Sequence, residues 1–188
     1  ETGSVIKLLG VARNTPEGIE VRVHPMLIPE RHPLASVNDS FNAVFVHGDA
    51  VDDAMFYGRG AGELPTASAV VGDIFDIARN LQYECCGRIS CTCYKQLPIK
   101  AMDDICSKYF LRMLVENEPG VLAAVTAVFG DRKVSIEQII QKKKIGELAE
   151  IVVITEKVKE RHVKDSLKAF EEMTAVKKVS SVIRVYGE

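Results

Sequence analysis

The sequence has almost no excess of either charge: 24 Lys and Arg against 26 Asp and Glu leave a net charge of −2. That gives no electrostatic footprint for nucleic acid. There is no apolar run of membrane-spanning length and no signal-peptide pattern, so a soluble cytoplasmic protein is expected, with neither nucleic acid nor membrane as partner. A dinucleotide-binding turn is also missing. Gly58, Gly60 and Gly62 alternate but lack the final glycine three residues on, and no βαβ pattern surrounds them. The five cysteines all fall between residues 85 and 106. They lack the paired C-x2-C spacing of a zinc ribbon and have no histidine nearby, so reduced, structural cysteines and no metal are expected, with metal or redox chemistry as the alternative.

What is present is a chain of 188 residues, 47% hydrophobic, with room for one or two domains and a real core. The fold class read from the pattern is α+β, a mixed-sheet part followed by a ferredoxin-like unit. Residues 5–12 and 19–27 read as strands joined by the turn chemistry of Asn14, Pro16 and Gly18. Residues 42–46 and 54–57 supply two more strands, and Pro25, Pro29 and Pro33 mark extended or irregular chain. Behind Pro65, the residues Val70, Val71, Ile74, Ile77 and Leu81 recur at three- and four-residue steps. This predicts a helix over 65–82 with its apolar face on that sheet.

The glycine-rich stretch therefore feeds a helix N-terminus, where free N–H groups and the dipole favour an anion. Gly58, Gly60 and Gly62 have two readings: a tight turn, or a loop placed against a ligand's backbone-approach face. His24 and His32 each precede a proline and read as structural, and Asp73 and Asp76 lie off the apolar stripe.

From residue 108 the order reads βαββαβ: strand 109–116, turn 117–120, helix, strands 134–141 and 148–155, a second helix and a last strand at 179–186. Lys142, Lys143 and Lys144 read as a solvated hairpin tip, a phosphate-binding patch being the alternative. The turn at Asn117 and Gly120 has two readings as well. It is a helix start with Asn117 as N-cap, or a site whose outward N–H groups take a carboxylate. The domain limits expected are 1–83 and 108–188, with 84–107 as linker.

The segment YGRGAGELPTASAVVGDIFDIARN, residues 57–80, closely resembles the corresponding stretch of homoserine dehydrogenases. The flanks IKLLGVAR, VRVHPMLIP, HPLASVNDSFNAVFV and GRISC agree in the same order, and Arg59 and Glu63 depart from the family's more usual proline and glycine. The run VENEPGVL, with VSI at 134–136 and AEIVVI at 149–154, resembles an ACT domain, a regulatory module of amino-acid metabolism.

The resemblance implies the C-terminal portion of an NAD(P)-dependent oxidoreductase. That enzyme interconverts L-aspartate 4-semialdehyde and L-homoserine in threonine and methionine biosynthesis. It places Gly60, with Gly58 and Gly62, beside the cofactor of the complete enzyme, and no catalytic residue in this chain. It implies NAD(P) for the full-length enzyme, none bound by the fragment, and no catalysis by the fragment. It makes L-threonine the expected effector, at Asn117, Gly120, Val121 and Leu122 with Ser135 and Gln141, and a homodimer or higher assembly the expected state. The alternative is a stand-alone ACT sensor without catalytic activity.

Overall fold

The computed structural model describes residues 3–85 and 95–187; Cys86, Cys91 and Cys93, and with them most of the cysteine segment, lie outside the described residues. In chain order the elements are β1 (Ser4–Thr15), β2 (Gly18–Pro29), β3 (Phe41–Gly48), β4 (Asp52–Arg59), α1 (Glu63–Gln82), β5 (Cys106–Glu116), α2 (Val121–Asp131), β6 (Ile136–Ile145), β7 (Leu148–Thr155), β8 (Val158–Lys159), α3 (Glu160–Glu172) and β9 (Val176–Val185). The chain divides into two compact units, Glu1–Pro29 with Leu97–Glu188, and Glu30–Gln96. These limits do not coincide with the boundaries at 83 and 108 drawn from sequence order.

In the first unit the strands run β1-β2-β9-β5-β7-β6, with β8 beside β5. The order β9-β5-β7-β6 with α2 and α3 is the expected ferredoxin-like unit. The strands β1 and β2 extend that sheet: they form an antiparallel hairpin, and β2 runs parallel to β9 at Met26 and Leu27. The core lies between sheet and helices. Alternate β5 residues Tyr109, Leu111, Met113 and Val115 point into it, met by Val121, Val125 and Phe129 of α2 at four-residue steps. Phe129 and Phe170 of α3 meet edge to face, ring centroids 5.0 Å apart.

Residues 97–100 lie along the start of β2. Ile19 donates its N–H to the Pro98 carbonyl at 2.8 Å, and Lys100 returns one to Ile19 at 2.9 Å. Gly18 permits this approach, since a Cβ there would stand 2.4 Å from the Pro98 oxygen. The lysine run is not a hairpin tip. β6 continues through Ile145, and the turn is Gly146 and Glu147, with Gly146 at φ 63°. The register shifts between Gln141 and Lys144, so Lys142 and Lys143 sit at an irregularity in β6 while Lys144 pairs with Ala149.

In the second unit β3 and β4 pair only with each other, as a two-stranded sheet. The helix appears where expected, but its apolar stripe is not packed on a sheet: no α1 residue is buried, and Phe75 is 59% exposed. The periodicity predicted a face to be covered, but β1 and β2, which would have enlarged that sheet, belong to the first unit. Among the described residues no helix is long and apolar enough to cross a membrane.

Candidate functional site

The glycine-rich loop leaves β4 and enters α1. Phe41 stands opposite Arg59 in the hairpin register, and Asn42 opposite Gly58. Phe41 stacks on Tyr57 with centroids 4.9 Å apart, and the Arg59 guanidinium lies 4.9 Å from the Phe41 centroid. Arg59 also donates to Ser40 Oγ at 3.2 Å, and Gly60 N–H to the Ser40 carbonyl at 3.1 Å.

The three glycines then separate by role. A Cβ on Gly60 would fall 1.5 Å from Asn42 Nδ2, so a larger residue there requires the exposed Asn42 side chain to move. Gly62 must be glycine for its φ of 127°, from which it starts α1 with no side-chain cap. Gly58 has neither constraint; the space around it is open. A shallow concavity of about 270 Å³ lies along this edge, lined by Asn42, Val44, Phe56, Tyr57, Gly58 and Gly60.

Among the described residues that line it there is no acid–base pair. His47 and Asp53 bond at 2.8 Å, but at the other end of the hairpin and in solvent. His32 accepts from the Leu34 N–H at 3.1 Å and packs on Phe45, a structural role. Asp76 accepts from Asn80 on the same helix. Among the described residues no group of His, Cys, Asp and Glu could hold a metal ion.

The second candidate is the turn between β5 and α2. Asn117 donates its N–H to the Glu147 carbonyl at 3.0 Å, which fixes where β5 ends. Gly120 takes the left-handed conformation, φ 91°, with nothing within 4 Å of the position a Cβ would take. It, and not Asn117, is the N-cap of α2, and no side chain caps that helix. The Val121 N–H donates to the Glu118 carbonyl at 3.3 Å, which leaves the Leu122 and Ala123 N–H groups of the first turn for solvent or a ligand.

Asn117 Oδ1 instead accepts from Gln141 Nε2 at 3.2 Å, so the turn and β6 are tied together across the site. Val121 is buried, whereas Leu122 is 41% exposed. Thus Asn117, Gly120, Val121, Leu122 and Gln141 converge. Ser135 does not. Its carbonyl accepts from Glu156 N–H, beyond the far end of β7 from Glu147.

A third cluster left little trace in the sequence. In the first half of β2 the buried side chains are the polar Glu20, Arg22 and His24, while Val21 and Val23 between them face outward. Glu160, at the start of α3, receives Arg184 Nη2 at 2.6 Å and Nε at 3.1 Å, and the Tyr109 hydroxyl. Burial raises the Glu160 pKa, but the bonds from Arg184 and Tyr109 outweigh it, and the net direction is down. Burial, then the Glu160 carboxylate, push the Tyr109 hydroxyl up. Burial, and next Arg184, push His24 down, against its Nδ1 bond to the Pro25 carbonyl. Strict alternation of charge and β-branched residues from Glu20 to His24 was the available signal, legible only once a buried partner is known.

Comparison with known proteins bears directly on the two candidate loops. Residues 1–75 match the family model described as homoserine dehydrogenase, and residues 109–174 match the ACT domain. Along 98% of its length the chain is 44% identical to a homoserine dehydrogenase of Neisseria gonorrhoeae and 40% identical to that of Bacillus subtilis. The chain is a homoserine dehydrogenase homologue. The crystal structure of a homoserine dehydrogenase from Thiobacillus denitrificans superposes over 98% of it with a TM-score of 0.87 at 39% identity, and one from S. aureus over 99% with 0.62 at 27%. The chain spans 44% and 43% of the lengths of the two curated relatives, and 43% of each crystallised chain.

Both loops fall inside matched regions: Gly58, Gly60 and Gly62 in the dehydrogenase domain, and residues 117–122 in the ACT domain. β2, in the first region, pairs with β9, which follows the end of the second at residue 174 and lies in the same sheet as its strands.

Proposed function

We propose that this chain is the C-terminal, regulatory portion of an NAD(P)-dependent homoserine dehydrogenase that interconverts L-aspartate 4-semialdehyde and L-homoserine, and that its ACT domain senses an amino acid, L-threonine. The observation that carries this reading is similarity over 98% of the chain to proteins of that name, more than twice its length. Catalysis then belongs to residues outside the chain, and the fragment alone neither binds NAD(P) nor transfers hydride. Within the complete enzyme the Gly58 to Gly62 loop borders the nicotinamide. Gly58, with open space about it, is the point of approach, because Asn42 already covers Gly60. The cofactor supplies the hydride acceptor; this chain's contribution is shape at the loop.

At the other site the uncapped start of α2 offers N–H groups to an amino-acid carboxylate. Asn117 and Gln141, already bonded to each other, offer amide groups to its ammonium and hydroxyl. The unburied α1 stripe and the outward Ile6, Leu8, Val21 and Val23 favour a homodimer or higher assembly, in the cytoplasm.

Calorimetric titration with L-threonine, with homoserine and serine as controls, tests the sensor. Saturable, selective binding is expected, and Gly120→Asp is expected to abolish it. Gly120→Ala meets the same strained φ without the charge and is expected to keep most of the affinity. Equal affinity in wild type and Gly120→Asp would refute the site. Homoserine-dependent reduction of NAD(P) by the chain itself would refute the regulatory-portion reading in favour of a complete enzyme. An ACT sensor unconnected to any dehydrogenase is the remaining alternative, and the sequence upstream of residue 1 in the genome distinguishes it.

A further inference from the structure

Residues 97–105 fall outside both matched regions, 1–75 and 109–174, yet they bond to elements of each. Their first half holds the turn end of the β1–β2 hairpin. The Ile19 N–H donates to the Pro98 carbonyl at 2.8 Å, and the Lys100 N–H donates to the Ile19 carbonyl at 2.9 Å. Lys100 Nζ reaches Glu17 at 2.8 Å and Glu20 at 3.1 Å, and the Lys100 and Glu20 side chains are only 11% and 8% exposed. Their second half holds the start of α3. Asp103 accepts from Lys164 Nζ at 2.7 Å, and Asp104 pairs with Arg161. The carbonyl of Ile105, a fully buried residue, accepts from the Glu160 N–H at 2.9 Å.

Between the two halves the chain makes one 3-10 turn, Met102–Asp104. It is closed by the Asp104 N–H on the Ala101 carbonyl at 3.0 Å and the Ile105 N–H on the Met102 carbonyl at 3.1 Å. A turn bonded to itself resists stretching, so displacement of one half is passed to the other. Among the described strand pairings, what else attaches the hairpin is the short ladder of Met26 and Leu27 with Arg184 and Val185. At about 3.3 Å per residue, Ile19 and Met26 stand roughly 23 Å apart along β2. Two residue pairs at one end leave the angle of a hairpin free to vary. A second attachment at the other end removes that freedom.

We propose that residues 97–105 are a clasp that fixes the angle of the β1–β2 hairpin on the ACT domain. Lys100 grips the turn end of the hairpin, Asp103 and Asp104 grip the start of α3, and the two grips open and close together. The segment that sequence order makes a linker is then a coupling element between the dehydrogenase region and the ACT domain.

Amide hydrogen exchange on the full 188-residue chain, across a series of low denaturant concentrations, tests it. The backbone bonds that join the clasp to its two partners are donated by Ile19, Lys100 and Glu160. After correction for intrinsic rates, these three wild-type amides are expected to share one opening with a common denaturant slope, at least 10-fold faster than the amides of β7. The paired change Asp103→Asn with Asp104→Asn alters only the α3 side, and should accelerate Ile19 and Lys100 by 5-fold or more. Lys100→Met leaves Glu20 facing Arg22 at 3.7 Å, and should accelerate Glu160 by a similar factor, because coupling is reciprocal. The β7 amides should keep their rates in both. Separate openings for Glu160 and for Ile19 with Lys100 in the wild type would overturn the proposal, whether or not the variants fold. So would variants in which only the grip that lost its charge exchanges faster, or in which β7 accelerates by the same factor.

Discussion

At the scale of single residues, the positions that decide local structure are those whose neighbours could not be known from the sequence. Gly60 was legible as a glycine the loop needs, but not why: its space is filled by Asn42, which no spacing rule places there. Gly60→Ala is expected to destabilise the chain by about 0.5–1 kcal/mol, since the exposed Asn42 side chain must swing out and give up its present position. Asn42→Ala in the same chain should restore most of that, measured by urea unfolding; no rescue would mean the backbone, not the contact, requires glycine. His24 was read as structural, and it is, in a setting with a pH consequence. Its ring faces Arg22 on its own strand, Arg184 on β9 and Glu160 on α3, and burial with the two guanidinium groups holds its pKa below the ordinary 6.5. The neutral form therefore contributes stability that is intact above pH 6.5 and lost as pH falls through the lower folded value. Urea midpoints should drop between pH 7.5 and 5.5 more steeply in wild type than in His24→Gln. Parallel curves would remove His24 from the pH dependence.

At the scale of elements, apolar periodicity located nearly every helix and strand of the chain, since the period of 3.6 or 2 is a property of the segment itself. What covers each face is not such a property. The stripes of α1 and α2 look alike in sequence, yet Phe129 of α2 is fully buried and Phe75 of α1 lies open. Phe129→Ala should cost about 3–5 kcal/mol in this chain. Phe75→Ala should change stability by less than about 0.5 kcal/mol, because the chain itself buries nothing there. Differential scanning calorimetry on both variants checks the pair, and a large loss in Phe75→Ala would mean that α1 is covered in solution. The lysine run teaches the converse: composition reads it as a tip, whereas β6 passes through it with a register shift and resumes pairing at Lys144 and Ile145. Ser135 was put at the effector loop by topology alone, without counting that α2 carries the chain to the opposite end of the sheet.

At the scale of the whole chain, the two resemblances suggested two modules in series with a linker, but the sheet runs across that division. The hairpin of residues 4–29 is continuous with the ACT strands through β9, and β9 pairs with β5, the strand that ends at Asn117. Sequence order hid this because the pairing is parallel and joins residues 26–27 to 184–185, the longest separation in the fold. The arrangement gives effector binding a route along the sheet: a ligand at residues 117–122 acts at the end of β5 where Val115 faces Val176, and the joint with β2 lies at the other end of β9, where Val185 faces Lys108, so strain reaches it along the length of β5 and β9. Coupling of this kind requires the ligand to favour one position of the joint over the other. L-threonine at saturation is therefore expected to change the exchange rate of the Tyr186 amide, whose bond to the Leu27 carbonyl crosses the joint, by 5-fold or more. The core amides of β7, which lie on the other side of β5, should respond less. Binding seen by calorimetry with no change at Tyr186 would mean that the ACT site and the hairpin are energetically independent, and that control of the enzyme must run through the assembly and not through this sheet.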